Sequence, residues 1–428
     1  MKKYHISISN YKLPHFFSFI LIVLYCSSIL NAQESQKYIE YKGTVVSKSS
    51  ENPLPFVNLL IEGTNIATVT NSEGNFSLKV EEAMPNAKVT LTYPGYEKLI
   101  IILKDLDRNK SIISLNPQAF ELDEINISRP KNALILVEQV FSNIENNYAD
   151  QENFMTAFYR ETINKRNRSA SLAEAVVTIQ KTPYTNSGSD LIALYKARKS
   201  TNYDRLDTVA IKLQGGPLNA LYADLVKYQK YFITKETLSN YDFSFGEPLI
   251  NDGNIVYVVN FKQKSSIIEP LYYGKLFIDS KTSALTNALY NLNVENRKAA
   301  SDLFVKKKPN QVKVYPTEIS YRVDYRKKDG KWYYSYSNVQ LEFVVNWKRK
   351  LFNSKYRISS EMLITDWETE LQGKEGISRK SKFKENTVLA DEVSGFADPE
   401  FWGAYNVIEP EKSIQQAIEK IQKQIKKD

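Results

Sequence analysis

The turn Asn71-Ser72-Glu73-Gly74 constrains this chain more than any other stretch. Its Asn side chain is suited to bonding the backbone two residues on, and its Gly takes φ > 0 without steric cost. Phe76, Leu78 and Val80 then alternate with Ser77 and Lys79, the period of a strand with one buried face. Upstream, Gly43 to Val46 and Phe56 to Ile61 are β-branched runs bounded by Ser, Asn, Pro and Gly. Downstream, Lys88 to Tyr93, Leu99 to Leu103 and Ser111 to Leu115 read as strands, with Tyr93-Pro94-Gly95-Tyr96 as a type II turn. About seven strands in about eighty residues is the spacing of a β-sandwich.

Three segments, "GTVVSKSSENPLPFVNLLIEGT", "TVTNSEGNFSL" and "YPGYE", occur in that order. Together they resemble the carboxypeptidase regulatory-like domain, a transthyretin-like sandwich, and place it at residues 38–117. The resemblance implies a non-catalytic accessory module. It also implies the company that such modules keep in envelope proteins of the Bacteroidetes type, where they precede outer-membrane and periplasmic domains. "FYRE" (Phe158 to Glu161), "NIENNY" and "GKLFID" resemble the middle region of those proteins.

Residues 1–32 have the form of an export signal. Lys2, Lys3 and Lys12 precede an apolar core from Phe16 to Leu24, and Asn31-Ala32 supplies a small-residue cleavage site. Cys26 follows Tyr25 rather than a small residue, which argues against lipidation. Both histidines, His5 and His15, and the single cysteine fall inside this segment. The expected mature chain therefore lacks the residues for a Ser-His-Asp triad, a cysteine nucleophile, a histidine zinc site or a disulfide. Without the three lysines, 54 basic residues stand against 49 acidic ones. That mild excess argues against a nucleic-acid partner.

The expected linker covers 118–132. A helix from about Ala133 to Asn147 then carries Leu134, Val137, Val140, Phe141, Ile144 and Tyr148 on one face. Most of residues 133–405 reads as an antiparallel β domain of hairpins. Its turns include Asn251-Asp252-Gly253-Asn254, Ser280 to Ser283 and Lys327-Lys328-Asp329-Gly330. One further helix is expected from Leu218 to Phe232, and a last one within 406–428. The fold class is thus mainly β with minor α: an N-terminal transthyretin/Ig-like β-sandwich, then a larger antiparallel β domain packed with one or two helices. A long sheet around a helix also resembles, at fold level only, the half-barrels of periplasmic lipoprotein carriers.

Asn71, Glu73 and Asn75 alternate as calcium ligands do, but too few acids accompany them, so a structural turn is expected and no metal or cofactor. Asp366, Glu368 and Glu370 share one face of a strand, a pattern a glycosidase uses, though solvated sheet faces share it. Lys306-Lys307-Lys308, Arg326-Lys327-Lys328 and Lys348-Arg349-Lys350 lie near aromatic residues. Cations beside rings suit anionic sugars or lipid head groups. Lysines at sheet edges also prevent aggregation. Trp332, Tyr334 and Arg349 are the expected binding residues. Leu341, Phe343, Val345 and Trp347 share a strand face that reads as core.

The sequence reading is therefore an exported, non-enzymatic protein of the periplasm or outer membrane. It would bind an envelope protein, glycan or lipid. A carboxylate-dependent glycan hydrolase and an outer-membrane β-barrel are the alternatives. Lysine-rich strands and a charged C-terminal helix weigh against the barrel.

Overall fold

The computed structural model describes residues 38–118, 131–166, 168–201, 214–251, 254–305, 308–348, 351–368, 376–393, 402, 403, 405 and 407–411. Residues 1–32, nearly all of the 118–132 linker, Arg349, Glu370 and, of the helix expected within 406–428, residue 406 and residues 412–428 lie outside them.

The first module is a two-sheet sandwich. Strands β1 (Tyr38–Ser47), β4 (Asn75–Glu81) and β7 (Ser111–Leu115) form one sheet in the order β4-β1-β7. Strands β2 (Asn58–Ile61), β3 (Ala67–Val69), β5 (Lys88–Thr92) and β6 (Leu99–Ile102) form the other, in the order β3-β2-β5-β6. Val45, Leu59, Ile61, Phe76, Leu78, Val89 and Leu91 are fully buried between the sheets. The alternation of Phe76, Leu78 and Val80 thus marks the core face as expected. In the turn that sets the register, Asn71 Oδ1 accepts from the amides of Glu73 and Asn75 at 2.9 and 3.0 Å. Gly74 sits at φ +77°, where an added Cβ would lie 2.8 Å from both Pro53 Cβ and Val45 O. The Tyr93–Tyr96 turn forms with Gly95 at φ +83° and a 3.1 Å bond from Tyr96 N to Tyr93 O.

The second domain is built on one antiparallel sheet of eleven strands: β8 (Asn153–Lys165), β9 (Arg168–Lys181), β10 (Leu191–Thr201), β11 (Tyr241–Phe245), β12 (Leu249–Asn251), β13 (Asn254–Gln263), β14 (Tyr272–Asp279), β15 (Leu285–Leu292), β16 (Val312–Lys328), β17 (Lys331–Trp347) and β18 (Ser354–Glu368). The order is β10-β9-β8-β18-β17-β16-β15-β14-β13-β11, with β12 also on β13. Among the described residues β10 and β11 do not pair with each other, so the described strands form an open sheet.

One face of the sheet is covered by helices: α1 (Ala133–Ser142), α2 (Ile144–Asn147), α3 (Gly216–Leu221), α4 (Arg297–Phe304) and α5 (Leu389–Glu392). Asn132 caps α1, its side chain accepting from Leu134 N at 2.9 Å. Leu136, Val137 and Val140 of α1 join Leu218, Leu221, Leu225 and Val226 over Ala157, Tyr159, Ala175, Val177 and Ile364 of the sheet. Leu341, Phe343 and Val345 belong to a second cluster, closed by Phe304 of α4 and half-buried Trp347. The core face read from that strand is the one observed.

Two expectations change. The helix foreseen from Leu218 to Phe232 is only the short α3, and the chain continues through turns and a 3₁₀ segment at Gln229–Tyr231. The turns bring Asp224 inward, onto Lys181. The strand expected to carry Leu341, Phe343, Val345 and Trp347 is part of one longer strand, Lys331–Trp347. Its register shifts opposite Asp324/Tyr325, leaving Ser335 as the extra residue, whose hydroxyl donates to Asp324 O at 2.9 Å.

The opposite face of the sheet is covered by the first module and by residues 402–411. Val69, Phe158, Val176, Tyr336, Leu363, Trp402, Val407 and Ile408 form one buried cluster across the three chain regions. Arg322 grips Asp324 (Nη2–Oδ2 2.8 Å) and donates to Phe56 O at 3.1 Å. Asn65 Nδ2 donates to Trp367 O at 2.5 Å, and Lys328 Nζ to Asn65 Oδ1 at 2.9 Å. The described residues 407–411 are irregular rather than helical, and they lie in this junction.

Candidate functional site

The groups with chemical potential fall into three places. On the helix-covered face, Lys181 is fully buried between Asp190 (2.9 Å) and Asp224 (2.8 Å). Tyr184 and Tyr325 hydroxyls donate to Asp224 at 2.9 and 2.8 Å, and Tyr228 OH accepts from Asp190 N at 3.2 Å. The Lys181 ammonium also lies 4.9 Å from the Tyr184 ring. Burial pulls Lys181 down, but the two carboxylates outweigh it and hold the ammonium charged. Burial likewise pushes Asp190 up, and Lys181 overrides it, leaving the carboxyl below its usual range. A cation fixed in this way is a structural anchor, since neither its proton nor a lone pair is available to a substrate.

Nearby on the same face, Tyr159 OH donates to Glu161 Oε2 at 2.9 Å. Burial raises Glu161 to about 7, and the Tyr159 bond and Asp391 are the lesser influences. Glu161 is 6% exposed, so no open path reaches it from solvent.

Under the first module, Arg160 and Arg198 both hold Glu174 at 2.7 Å, and Arg160 also reaches Glu361 at 3.2 Å. Arg160 Nη2 donates to Ile408 O at 2.7 Å, and the Arg198 guanidinium lies 4.8 Å from the Trp402 ring. These charges join β8, β9, β10 and β18 to the C-terminal segment. Burial raises Glu174, but the two arginines prevail and hold it ionised; for Glu361, burial prevails and raises it. Sequence reasoning passed over both networks. Arg160, Glu174 and Glu361 carried a signal, as charges among apolar residues in mid-strand; Lys181, at a strand end, carried none.

The third place is a corner of the sheet where β16 turns into β17. The Arg326 guanidinium lies 4.6 Å from the Trp367 ring, Lys328 lies 5.4 Å from it, and Tyr333 stacks on it at 5.8 Å and 14°. Lys327 lies 5.9 Å from the Trp332 ring. Arg326 Nη1, Trp332 Nε1 and Trp367 Nε1 are sealed from solvent with no acceptor among the described residues. Burial lowers Arg326 to about 10, which leaves it charged at neutral pH. The pairing Arg326–Tyr333 and Lys327–Trp332 puts Arg326 and Tyr333 on one side of the hairpin with the Trp367 ring, and Lys327 and Trp332 on the other, so the orphaned donors are divided between two sides of the corner.

Of the residues expected to bind, Trp332 lies at this corner and is half-buried. Tyr334 does not serve as expected. It is fully buried, and its hydroxyl donates to Ala220 O at 3.1 Å and sits 2.6 Å from Ser337 Oγ, because α3 covers the face that sequence left open. Arg349 lies outside the described residues. Its neighbour Lys348 is at the far end of β17, roughly 50 Å away by strand rise. The aromatic–basic cluster read as one surface is therefore two, at opposite ends of the same hairpin.

The calcium spacing is a turn: Asn71 Oδ1 is taken by two amides, and Asn75 Oδ1 accepts from Thr44 Oγ1 at 2.7 Å. No metal-ligating cluster occurs among the described residues. Exposed Asp366 borders a cleft of 230 Å³ lined also by Thr156, Tyr195, Trp367 and Tyr405, so the described part of that cleft presents one carboxylate. The side chains of Glu368 and Glu370 are outside the described set.

The sandwich geometry, the Asn71–Gly74 turn and the Tyr93–Tyr96 turn coincide with a family model. Residues 41–127 match the CarboxypepD_reg-like domain. The chain therefore carries a carboxypeptidase regulatory-like domain, as the sequence segments implied. No curated protein matches the chain. Among solved structures, a LolA superfamily protein from Nitrosomonas europaea is 11% identical, covering 60% of this chain and 99% of its own, with a TM-score of 0.20. A DUF1329 family protein from Desulfovibrio piger is 11% identical over 58% of this chain and 96% of its own, with a TM-score of 0.22. A Bacteroides fragilis protein of unknown function is 10% identical over 77% and 98%, with a TM-score of 0.16. At such TM-scores these likenesses do not establish a shared fold.

Proposed function

We propose that this chain is an exported, non-enzymatic envelope protein that binds an acceptor-rich partner, such as an anionic glycan, at the corner formed by Trp332, Arg326 and Trp367. The carrying observation is a pair of cations set against aromatic rings with acceptors still to meet: Arg326 on Trp367, beside stacked Tyr333, and exposed Lys327 on Trp332. Sugar hydroxyls and carboxylates supply such acceptors, and aromatic faces supply the platform. The regulatory-like domain supports the envelope setting, and its bonds through Asn65 and Lys328 brace the corner. Non-enzymatic action fits the sealed state of Lys181, Asp224 and Glu161.

The test uses Lys327→Gln, which keeps the Trp332 ring and removes the exposed cation on it. Retention of the purified chain on anionic envelope polysaccharide should fall by about ten-fold, the effect of one charge-assisted bond. The unfolding free energy should hold, because Lys327 is exposed. Unchanged retention, or no retention by either protein, overturns the reading. Turnover of a glycan by the purified chain would overturn its non-enzymatic part.

A further inference from the structure

At the end of the sheet opposite the Trp332 corner, the β17–β18 hairpin presents Leu351 at 96% and Phe352 at 78% exposure. These are the most exposed large apolar side chains among the described residues, and they stand side by side on a tip. Exposed cations surround them. Lys348 precedes the tip; Arg166 and Arg168 occupy the adjacent β8–β9 tip; Lys313 opens β16. Among the described residues none of these four has a carboxylate partner. A nearby carboxylate, Glu342, is already engaged by Lys355 at 2.6 Å and Arg357 at 3.5 Å.

The tip is held in place rather than dangling. Arg166 N donates to Lys355 O at 2.8 Å, joining the two hairpins, and Lys348 N donates to Gln311 O at 3.1 Å, joining the tip to β16. Beneath it, Val345, Phe343 and Tyr356 are packed with Val312. A braced tip with an apolar point and a cationic collar has one physical complement: a surface negative at its face and apolar just below.

We infer that the described part of this tip docks the protein on an anionic lipid bilayer, with Leu351 and Phe352 entering the head-group boundary and Arg166, Arg168, Lys313 and Lys348 meeting lipid phosphates. A second copy of the chain is a poor occupant, because it would bring the same positive collar against this one. The positive net charge, +8 for the whole chain and +5 without residues 1–32 (54 basic against 49 acidic), favours the approach to such a surface. The inference is independent of the Trp332 corner.

The experiment is co-sedimentation of the full chain with vesicles of phosphatidylglycerol or of phosphatidylcholine. Binding should occur with the first, weaken in high salt, and be largely absent with the second. Leu351→Ser with Phe352→Ser should reduce partitioning about ten-fold or more, from the loss of two apolar insertions. Lys313→Gln with Lys348→Gln should reduce it about ten-fold at low salt. Phe352→Cys in a Cys26→Ser chain, labelled with a polarity-sensitive dye, should shift to the blue on phosphatidylglycerol vesicles. The substitutions at 313, 348, 351 and 352 are at exposed positions and should leave thermal unfolding unchanged. Absence of binding to phosphatidylglycerol, or binding untouched by both double variants, overturns the inference. A blue shift without vesicles that grows with protein concentration would assign the tip to self-association and overturn it as well. Failure here with polysaccharide retention intact would leave the Trp332 corner standing, and the converse outcome would separate the two in the other direction.

Discussion

The two faces of the large sheet bury charge in different ways. The helix-covered face holds one cation, Lys181, between two aspartates, all supplied by β9, the loop after it and the turns after α3. The face beneath the first module holds Arg322 on Asp324 and, apart from them, a cluster of two arginines and two glutamates drawn from four strands and completed by the carbonyl of Ile408. The first cluster is closed by tyrosine hydroxyls and rings and belongs to the core of one domain. The second is closed by a segment from the far end of the chain and joins that segment to the sheet. Buried ion pairs add little net stability over a well-packed apolar core, but each becomes costly to break. The first should therefore govern whether the domain folds, and the second whether its outer layer stays attached.

The largest effect should come from Lys181→Met. It leaves Asp190 and Asp224 buried together without a cation, and loss of one partner from such a cluster costs about 3–5 kcal/mol. Urea denaturation should show the whole domain shifted, with no loss confined to the C-terminal segment. A shift below about 1 kcal/mol would mean that the aspartates find solvent, and the cluster is not part of the core.

Arg160→Met should cost about 3 kcal/mol, since Glu361 and Ile408 O lose their donor while Arg198 still holds Glu174. Here the comparison predicts a different form of loss. Limited proteolysis near residues 402–411 should accelerate well before the sheet melts. Simultaneous loss of both would erase the distinction between the two faces.

Glu161 offers a pH test on the helix-covered face. Its folded-state pKa is raised to about 7, chiefly by burial. The unfolded chain releases that proton near pH ~4.3. The stability tied to the bound proton is therefore present in full below about pH 4 and is lost as pH rises through 7. Glu161→Gln keeps the neutral form and still accepts from Tyr159. The variant should match the parent near pH 4 and exceed it by on the order of 3–4 kcal/mol at pH 8. Equal pH slopes for the two proteins would show that Glu161 is ionised in the fold.

The difference between the faces also explains what could be read from the residues. Turn chemistry and strand period were legible, because they act over a few residues: Asn71 and Gly74 set one turn, and the 341–345 alternation marked its own core face. Which face of Lys331–Trp347 meets solvent was not legible. Tyr334 is buried by α3, more than a hundred residues earlier in the chain, and the register shift at Ser335 breaks the period on which the reading depends. The Trp332 corner was half legible, since its rings and cations are close in sequence, while Trp367 and Asn65 arrive from distant strands. Lys181 resembled any solvated strand end, and its partners lie in loops that read as polar linkers.

Gly74→Val should cost about 1–3 kcal/mol through positive φ and the 2.8 Å approach to Pro53 and Val45. The turn also touches the junction, since Asn71 Nδ2 donates to Glu409 O at 3.0 Å and Ser72 Oγ donates to the Glu411 carboxylate. Both the first module and the C-terminal layer should loosen, as judged by proteolysis; loss confined to the module would detach the turn from the junction.

The smallest effect should come from Asn65→Ala, and it sharpens the comparison most. Asn65 joins three regions at once: its Nδ2 donates to Trp367 O on β18, and its Oδ1 accepts from Lys328 on β16. Both bonds are partly buried, and neither has a packing role beyond the contact itself. Their removal should cost about 1 kcal/mol, because Lys328 can return to water while Trp367 O loses a donor in a half-sealed site. The isolated stability of the first module should not change, since Asn65 makes no bond in its core. If the outer layer is a docked unit, the loss should appear as faster amide exchange along β3 and the end of β18, with β8, β9 and the Lys181 cluster unaffected. Exchange accelerated equally on both faces would mean that the junction and the core open together, and the sheet would then be one cooperative unit with charge buried on either side of it.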